Sequence, residues 1–539
     1  MTLFSTPTVP MRRFFPMRQL LGLCVLVLLV VGCGSNGGSP EEETEEPTDG
    51  PLEVTVRWNE THQTLHGFGA SDAWSTQFVG KNWPVEKRNQ IADWLFSRDT
   101  TDGGAPEGIG LSIWRFNIGA GSAGQGDASG IEDPWRRAPG FLQNDGSYDW
   151  SRQQGQRWFM QAAQERGVPT FIGFANSPPV EYTANGRAYG DGSGTANLPD
   201  DRFDDFAQYL GRIAEHFESE GLAFDYLSPI NEPQWNWSQG NNQEGSPYTN
   251  AEIAQLAEHL DQEISERGLS TEIEVPEAAQ VNFLHSASSD YPDRSDQLSA
   301  LFGGGGIGGL SNVAQKAAGH SYYTTWPISD LVEQREALAE RMEAMDSSME
   351  YWMSEYCILA DNREIEGGGR DLGMDPALYV ARVLHMDLTV ANASSWQWWL
   401  GVSPYDYKDG LVYIDHDQQN GSIYDSKLLW GLGNYSRFLQ PGAERVAANR
   451  SDEASPEEAA QGLMVSAYRA ADRERPVVVA VNQEQGEREL DLGVEGRDVS
   501  AWRPYVTSSG ENLAPQAERP AGETLTVPAR SIVTYVGVQ

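Results

Sequence analysis

Two glutamates close short apolar runs at positions that suit paired carboxyl chemistry. Glu232 ends Leu227-Ser228-Pro229-Ile230-Asn231-Glu232 and is followed by Pro233, while Glu355 ends Tyr351-Trp352-Met353-Ser354-Glu355. Cleaving a glycosidic bond takes one carboxyl that gives and accepts a proton and another that attacks carbon or activates water. A chain with 78 Asp and Glu among 539 residues carries most of them on solvated faces, so the pair gains meaning only from its company. Arg115, in Trp114-Arg115-Phe116-Asn117, is of the type that holds a carboxylate ionised. Asn231 can donate to a sugar hydroxyl, and His320 and Tyr322, in Gly319-His320-Ser321-Tyr322-Tyr323, can orient a nucleophile. Taken singly, each of these is more often a structural hydrogen bond. Flat faces for stacking on pyranose rings come from Trp74, Trp235, Trp237, Trp396, Trp398 and Trp399. Neighbours on a strand point to opposite sides, so only alternate members of Trp396-Gln397-Trp398-Trp399 can face a ligand.

That chemistry needs elements that bring residues 115, 232, 320 and 355 to one place. Short apolar segments alternate with longer amphipathic ones, the rhythm of parallel β/α units. The expected strands are 65–69, 109–117, 170–174, 226–230, 272–276, 318–322, 350–353 and 394–398. Helices are expected at 85–96, 152–166, 203–220, 251–267, 328–345 and 376–392. Eight such units favour an α/β fold closed as a (β/α)8 TIM barrel, with an open doubly wound sheet as the competitor. In a closed barrel the reactive groups stand at the C-terminal strand ends, which is where the residues above lie. Beyond residue 440 the pattern changes to short alternating runs at 463–468, 477–481 and 524–538, which read as a β-sandwich. The alternating run 52–58 precedes the first barrel strand and is expected to join it, so the side domain is built from both chain ends.

These residues resemble glycoside hydrolase family 30, a family of retaining clan A glycosidases. The resemblance spans residues 54–539 and is carried by Gly67-Phe68-Gly69-Ala70, by Gly110-Leu111-Ser112-Ile113-Trp114-Arg115-Phe116-Asn117-Ile118-Gly119, by Asn176-Ser177-Pro178-Pro179, by Asn231-Glu232-Pro233 and by Ser354-Glu355-Tyr356. It implies Glu232 as acid/base, Glu355 as nucleophile and a β-sandwich fused to the barrel. The stretch from Asn231 through Trp235 to Gln243-Glu244-Gly245 looks most like the branch containing endo-β-1,6-galactanases. Cys357 and the long insertion 278–309 depart from that branch, which leaves β-1,6-glucan and xylan open as substrates and leaves endo or exo action undecided. A reading from another class is a glycan-binding lipoprotein that keeps the cleft without turnover. The expected substrate contacts are Arg115, Asn231, Trp74, Trp235, His320, Tyr322, Trp396 and Trp398.

The N-terminus carries Arg12, Arg13 and Arg18, then an apolar run from Leu20 to Val31 that is short for a membrane span, then Gly32-Cys33. This reads as an export signal over 1–33 whose Cys33 sits in a bacterial lipobox, so the mature chain is expected to hang from a membrane by lipid, at the cell surface or in the periplasm. Ordinary signal cleavage nearby is the alternative. Residues 34–50, GSNGGSPEEETEEPTDG, have nothing to bury and read as a flexible acidic linker. The remaining divisions are 51–64 for the first sandwich strands, 65–439 for the barrel and 440–539 for the rest of the sandwich. With Cys24 lost and Cys33 lipidated, Cys357 has no partner for a disulfide. The 38 basic residues against 78 acidic ones give a formal charge of −40, which repels phosphate backbones and excludes nucleic acid as a partner. Such a surface also stays soluble at high ionic strength, a hint of a saline habitat. No cofactor or metal is expected. The eight histidines form no His-Glu-x-x-His pair, residues 303–309 lack the Gly-Lys-Ser/Thr of a phosphate loop, and no Gly-x-Ser-x-Gly elbow occurs.

Overall fold

Segments such as Gly67–Ser71, Ile113–Asn117 and Lys316–His320 are buried along their whole length, as strands are when a parallel sheet is covered on both faces. In the computed structural model, which describes residues 50–346 and 348–539, they belong to a barrel of parallel strands. Its strands, in chain order, are Gly67–Ser71, Ile113–Asn117, Thr170–Phe174, Tyr226–Ser228, a fifth in two pieces (Glu272–Ile273 and Pro276–Ala278), Lys316–His320, Glu350–Tyr356 and Ser395–Ser403. The first strand pairs with both the second and the eighth, and the rest pair in sequence. The break falls at residues 274–275, directly before Pro276, which has no N–H to give to strand four. The ring still closes across the gap, because Glu274 N donates to Leu227 O at 2.9 Å and Ala318 N to Val275 O at 3.1 Å.

The covering helices follow the expected positions to within a few residues. Phe203–Ser219 buries Phe203, Phe206, Ala207, Leu210, Ile213, Ala214 and Phe217, a three-and-four spacing that presents one apolar face to the sheet. Asn250–Arg267 begins at a capping box in which Thr249 and Glu252 satisfy each other's backbone N–H groups. It ends at Gly268, whose φ of +68° closes the last turn at little steric cost. The glycine-rich stretch 303–309 carries a 3-10 turn, Ile307–Gly309, pinned by the buried Ile307.

The second sheet is mixed and mainly antiparallel. Leu52–Thr64 lies between Glu444–Arg450, which it meets antiparallel, and Arg488–Glu495, which it meets parallel, so the two ends of the described chain share one sheet. Val56, Leu490, Val527, Trp502 and Val533 come from distant strands of this sheet yet share one apolar core, so the sheet folds over on itself. Pro476–Asn482 is buried on both faces. Val478 and Ala480 enter the sandwich core, whereas Val477, Val479 and Val481 join the barrel's core, which also includes Leu378, Leu384, Leu428 and Leu432 of the helices Met374–Thr389 and Lys427–Ser436. The helix Lys427–Ser436 and the strands Glu444–Arg450, Arg488–Glu495 and Ala501–Thr507 were not anticipated from the sequence.

The leader, the Cys33 lipobox and residues 34–49 of the linker lie outside the described residues. Among the described residues no helix is long and apolar enough to cross a membrane, and Cys357 is a buried free thiol.

The shared strand makes barrel and sandwich one cooperative unit. Val479→Ala is expected to cost about 1–3 kcal/mol while leaving a single thermal transition. Calorimetry showing the barrel melting at its parental temperature, with the sandwich lost earlier, would contradict the coupling.

Candidate active site

Each residue of the site is delivered by a strand end. Arg115 lies within strand two and is fully buried. Glu355 lies within strand seven, where the register slips: strand six advances one residue, from Gly319 to His320, while strand seven advances two, from Met353 to Glu355. A bulge of this kind re-aims side chains. Here it brings both Ser354 Oγ and the Glu355 carboxyl to the barrel axis. Glu232 sits just beyond strand four with φ at +46°, a left-handed conformation that costs a non-glycine residue about 1–3 kcal/mol and is tolerated where its surroundings fix it. They do so from two sides. Glu232 N donates to Glu277 O at 2.9 Å, and Glu232 O accepts from Trp235 N and from Trp237 Nε1, each at 3.2 Å.

The side chains form one network. Arg115 Nη1 donates to Glu355 Oε2 at 3.0 Å, and the Tyr322 hydroxyl donates to Glu355 Oε1 at 3.0 Å. His320 Nδ1 lies 3.1 Å from Glu232 Oε1 and 3.7 Å from Glu355 Oε1, while Nε2 lies 2.7 Å from Glu277 Oε2. Glu277 also accepts from Ser354 Oγ at 2.8 Å and faces Arg115 Nη2 at 3.5 Å. The Tyr322 hydroxyl touches the Cys357 thiol as well, at 3.6 Å.

Burial decides the electrostatics. It would lower the His320 pKa, but the charge of Glu355 and the hydrogen bonds to Glu232 and Glu277 outweigh it and push the imidazole up to about 10. Burial raises the pKa of Glu232, opposed by its hydrogen bond to His320. Glu277 is buried as deeply, yet the Arg115 guanidinium and His320 hold its carboxyl well below the usual range. An oxygen of Glu232, a nitrogen of His320 and an oxygen of Glu355 lie within 4.8 Å of one another, close enough to hold a metal ion. His320 instead turns both ring nitrogens to carboxylate oxygens, Nδ1 to Glu232 and Nε2 to Glu277.

Arg115, Glu232, His320, Tyr322 and Glu355 are therefore brought together. Asn231 is buried beside Glu232, with its amide oxygen making no hydrogen bond within the protein. Trp74 packs edge-on to Trp399 at 5.3 Å and under the Arg136 guanidinium, and Trp235 is half-buried, edge-on to Tyr323 at 6.0 Å. The expectation for Trp396 and Trp398 is corrected. Both are 0% exposed, and their indole N–H groups donate to Asp387 Oδ2 at 2.9 Å and Asp409 O at 2.7 Å, so neither presents a face to a ligand. Glu277 was missed. It stands at the C-terminal end of strand five in Val275-Pro276-Glu277-Ala278, where the strand-end rule applied to every strand finds it.

A closed parallel barrel whose mouth holds two near carboxyls, with an arginine and a histidine hydrogen-bonded to them, is the arrangement of glycosidases that cleave through paired carboxyl groups. The chain belongs to O-glycosyl hydrolase family 30, whose model matches residues 51–413, and it is an O-glycosyl hydrolase. It is 25% identical over 410 residues to an endo-β-1,6-galactanase of Hypocrea rufa, covering 73% of this chain and 75% of that one. Over 249 residues it is 31% identical to an exo-β-1,6-galactobiohydrolase of Bifidobacterium longum, covering 36% of this chain and 16% of that much longer one. The crystal structure of a conserved exported protein from Bacteroides fragilis superposes with a TM-score of 0.85 at 36% identity, covering 90% of this chain and 99% of that one.

Arg115 is the counterion that lets Glu277 and Glu355 be buried together. Arg115→Met is expected to cost about 3–5 kcal/mol at neutral pH. The depressed Glu277 pKa contributes stability that is present above the ordinary value of 4.5 and lost as pH falls towards the folded value. Denaturant melts should therefore show the deficit narrowing as pH drops below 4.5. A deficit that is absent, or constant with pH, would contradict this role.

Proposed function

We propose that this glycosidase works by double displacement, with Glu355 as nucleophile and Glu232 as acid/base. Glu355 attacks the anomeric carbon as the glycosidic C–O bond breaks, and Glu232 protonates the departing oxygen. Glu232 then removes a proton from the incoming water, which attacks the same carbon and frees Glu355 with net retention. The observation that carries this reading is that an oxygen of Glu232 and an oxygen of Glu355 lie within 4.8 Å of each other, with His320 between them. So close an approach supports the about 5–5.5 Å group spacing of retaining enzymes over the about 6.5–9.5 Å that inverting enzymes need for a water. Arg115 and Tyr322 hold Glu355 aligned for attack, Asn231 binds a sugar hydroxyl, and the half-buried Trp235 contributes an apolar face, while Trp74, 4% exposed and covered by Arg136, shapes the wall behind it.

The proposed substrate is a β-1,6-linked galactan cut at internal bonds. The similarity to an endo-β-1,6-galactanase over most of the chain supports it, and the galactobiohydrolase adds a second relative acting on β-1,6-linked galactose. We also propose that the protein is exported and held to a membrane through Cys33. The leader sequence and the likeness to an exported protein support this.

Two experiments test the proposal. Incubation with β-1,6-galactan, arabinogalactan, β-1,6-glucan and xylans, in low and high salt, is expected to release oligosaccharides from galactan. Glu355→Gln should lower that rate by at least about 10⁴-fold while still binding the glycan. Release from glucan or xylan alone would move the assignment within the family, and binding without release from any glycan would favour a non-catalytic role. Separately, Cys33→Ser in the full chain should move the protein from the membrane fraction to the soluble fraction, and unchanged membrane association would refute the anchor.

A further inference from the structure

Three carboxyls and two cations meet at the barrel mouth: Glu232, Glu277 and Glu355 with Arg115 and His320. A further pair beneath them, Glu274 and Lys316 at 2.6 Å, also meets Glu277: burial raises the Glu274 carboxyl to about 7 and lowers the Lys316 amine to about 8, so the two hold one proton between them and stay neutral as a pair. Two cations balance two carboxylates, so in this largely buried space, where the Glu232 side chain is 10% exposed and the others 4% or less, the group is neutral when one carboxyl keeps its proton. Geometry decides which one does. Glu355 accepts from Arg115 and Tyr322, and Glu277 accepts from His320 and Ser354 while facing Arg115. Among these groups Glu232 meets only His320, at the longer 3.1 Å. It is the carboxyl whose negative charge is least well met.

We propose that Glu277 is a positioning residue that makes Glu232 the acid: its carboxylate, 2.7 Å from His320 Nε2, claims the imidazolium and completes a charge balance that leaves the proton on Glu232. This rests on the assignment of Glu232 as acid/base and supplies the reason for it. The element geometry suits the role. Glu277 itself has φ at +55°, and its carbonyl anchors the Glu232 backbone, so one residue holds both the position and the protonation of the acid. Burial shifts the other titratable groups facing the cluster towards their neutral forms: it pushes up the pKa of Tyr322 and Tyr323, just beyond strand six, and of Cys357, just beyond strand seven, and lifts Asp72, beyond strand one, to about 8. The directions found for His320, Glu232 and Glu277 agree with the balance.

The test is the pH dependence of kcat/KM for the parent, Glu277→Gln, Glu277→Asp and Glu232→Gln on whichever glycan the parent cleaves. With one carboxylate gone, the cluster releases its first proton more readily, whether from Glu232 or from His320. The basic limb of Glu277→Gln should fall about 1–3 pH units below the parent's, and Glu277→Asp should restore most of the difference. Hydrolysis of the matching β-glycosyl fluoride, whose leaving group needs no proton, should drop far less than hydrolysis of the glycan. A limb that stays in place or rises, or an equal loss on both substrates, overturns the inference. Glu232→Gln cleaving the glycan as the parent does would instead overturn the acid assignment beneath it. If Glu277→Gln does not fold, ¹⁵N spectra of ring-labelled histidines in the parent, assigned with His320→Asn, decide the matter. Both His320 ring nitrogens should be protonated at pH 8, and a neutral ring there refutes the role of Glu277.

Discussion

The burial of the Arg115 charge is the constraint on which the rest of the site depends. A guanidinium with no contact with water is costly unless carboxylates meet it in good geometry, and Glu355 and Glu277 do so from strands seven and five. Those carboxylates in turn need further donors, which His320 and Tyr322 supply from the end of strand six and Ser354 supplies through the bulge in strand seven. The left-handed turn at Glu232 is then fixed by the Glu277 carbonyl and by Trp237. Each of these groups is costly alone, and the barrel makes the set affordable by delivering all of them to one axis.

A second buried network supports the first from behind. Asp387, on the helix Met374–Thr389, accepts from Arg335 Nε at 2.7 Å and from Trp396 Nε1 at 2.9 Å. Arg335 Nη2 donates to Ser321 Oγ at 2.9 Å, between His320 and Tyr322 in sequence. The C-terminal end of strand six and the start of strand eight are thus tied to one helix, and that helix packs against the sandwich strand that contains Val479. The side domain contributes no group to the carboxyl cluster. Its part is to cover the helices that keep the strand ends in place, which accounts for a strand buried on both faces and for the N-terminal strand lying within the C-terminal sheet.

Much of this was legible in the sequence because barrels obey a positional rule. Polar residues directly after apolar runs are the ones that face the mouth, and Arg115, Glu232, His320, Tyr322 and Glu355 all satisfied it. The helix periods were equally clear, since residues 203–220 and 328–345 alternate apolar and charged faces at the helical repeat. Glu277 was equally legible, since it directly follows the expected strand 272–276; it escaped because the rule was applied to the strands that carry a recognisable motif and not to this short one. Trp396 and Trp398 misled because indole faces serve cores as well as sugars, and only the positions of Asp387 and Asp409 show that their N–H groups are satisfied inside the protein. The sandwich strands around residues 444, 488 and 501 carry charged residues on their exposed face, which blurred the alternation that marks a strand.

In the proposed mechanism the charge-balanced cluster divides labour between two adjacent carboxyls, leaving Glu355 free to attack carbon. Trapping tests this directly. Incubating the protein with a 2-deoxy-2-fluoro glycoside of the preferred sugar carrying a good leaving group, then mapping the peptides by mass spectrometry, should place one covalent sugar on Glu355. Continued hydrolysis of the natural glycan without any adduct, or an adduct on Glu232 or Glu277, would contradict the account.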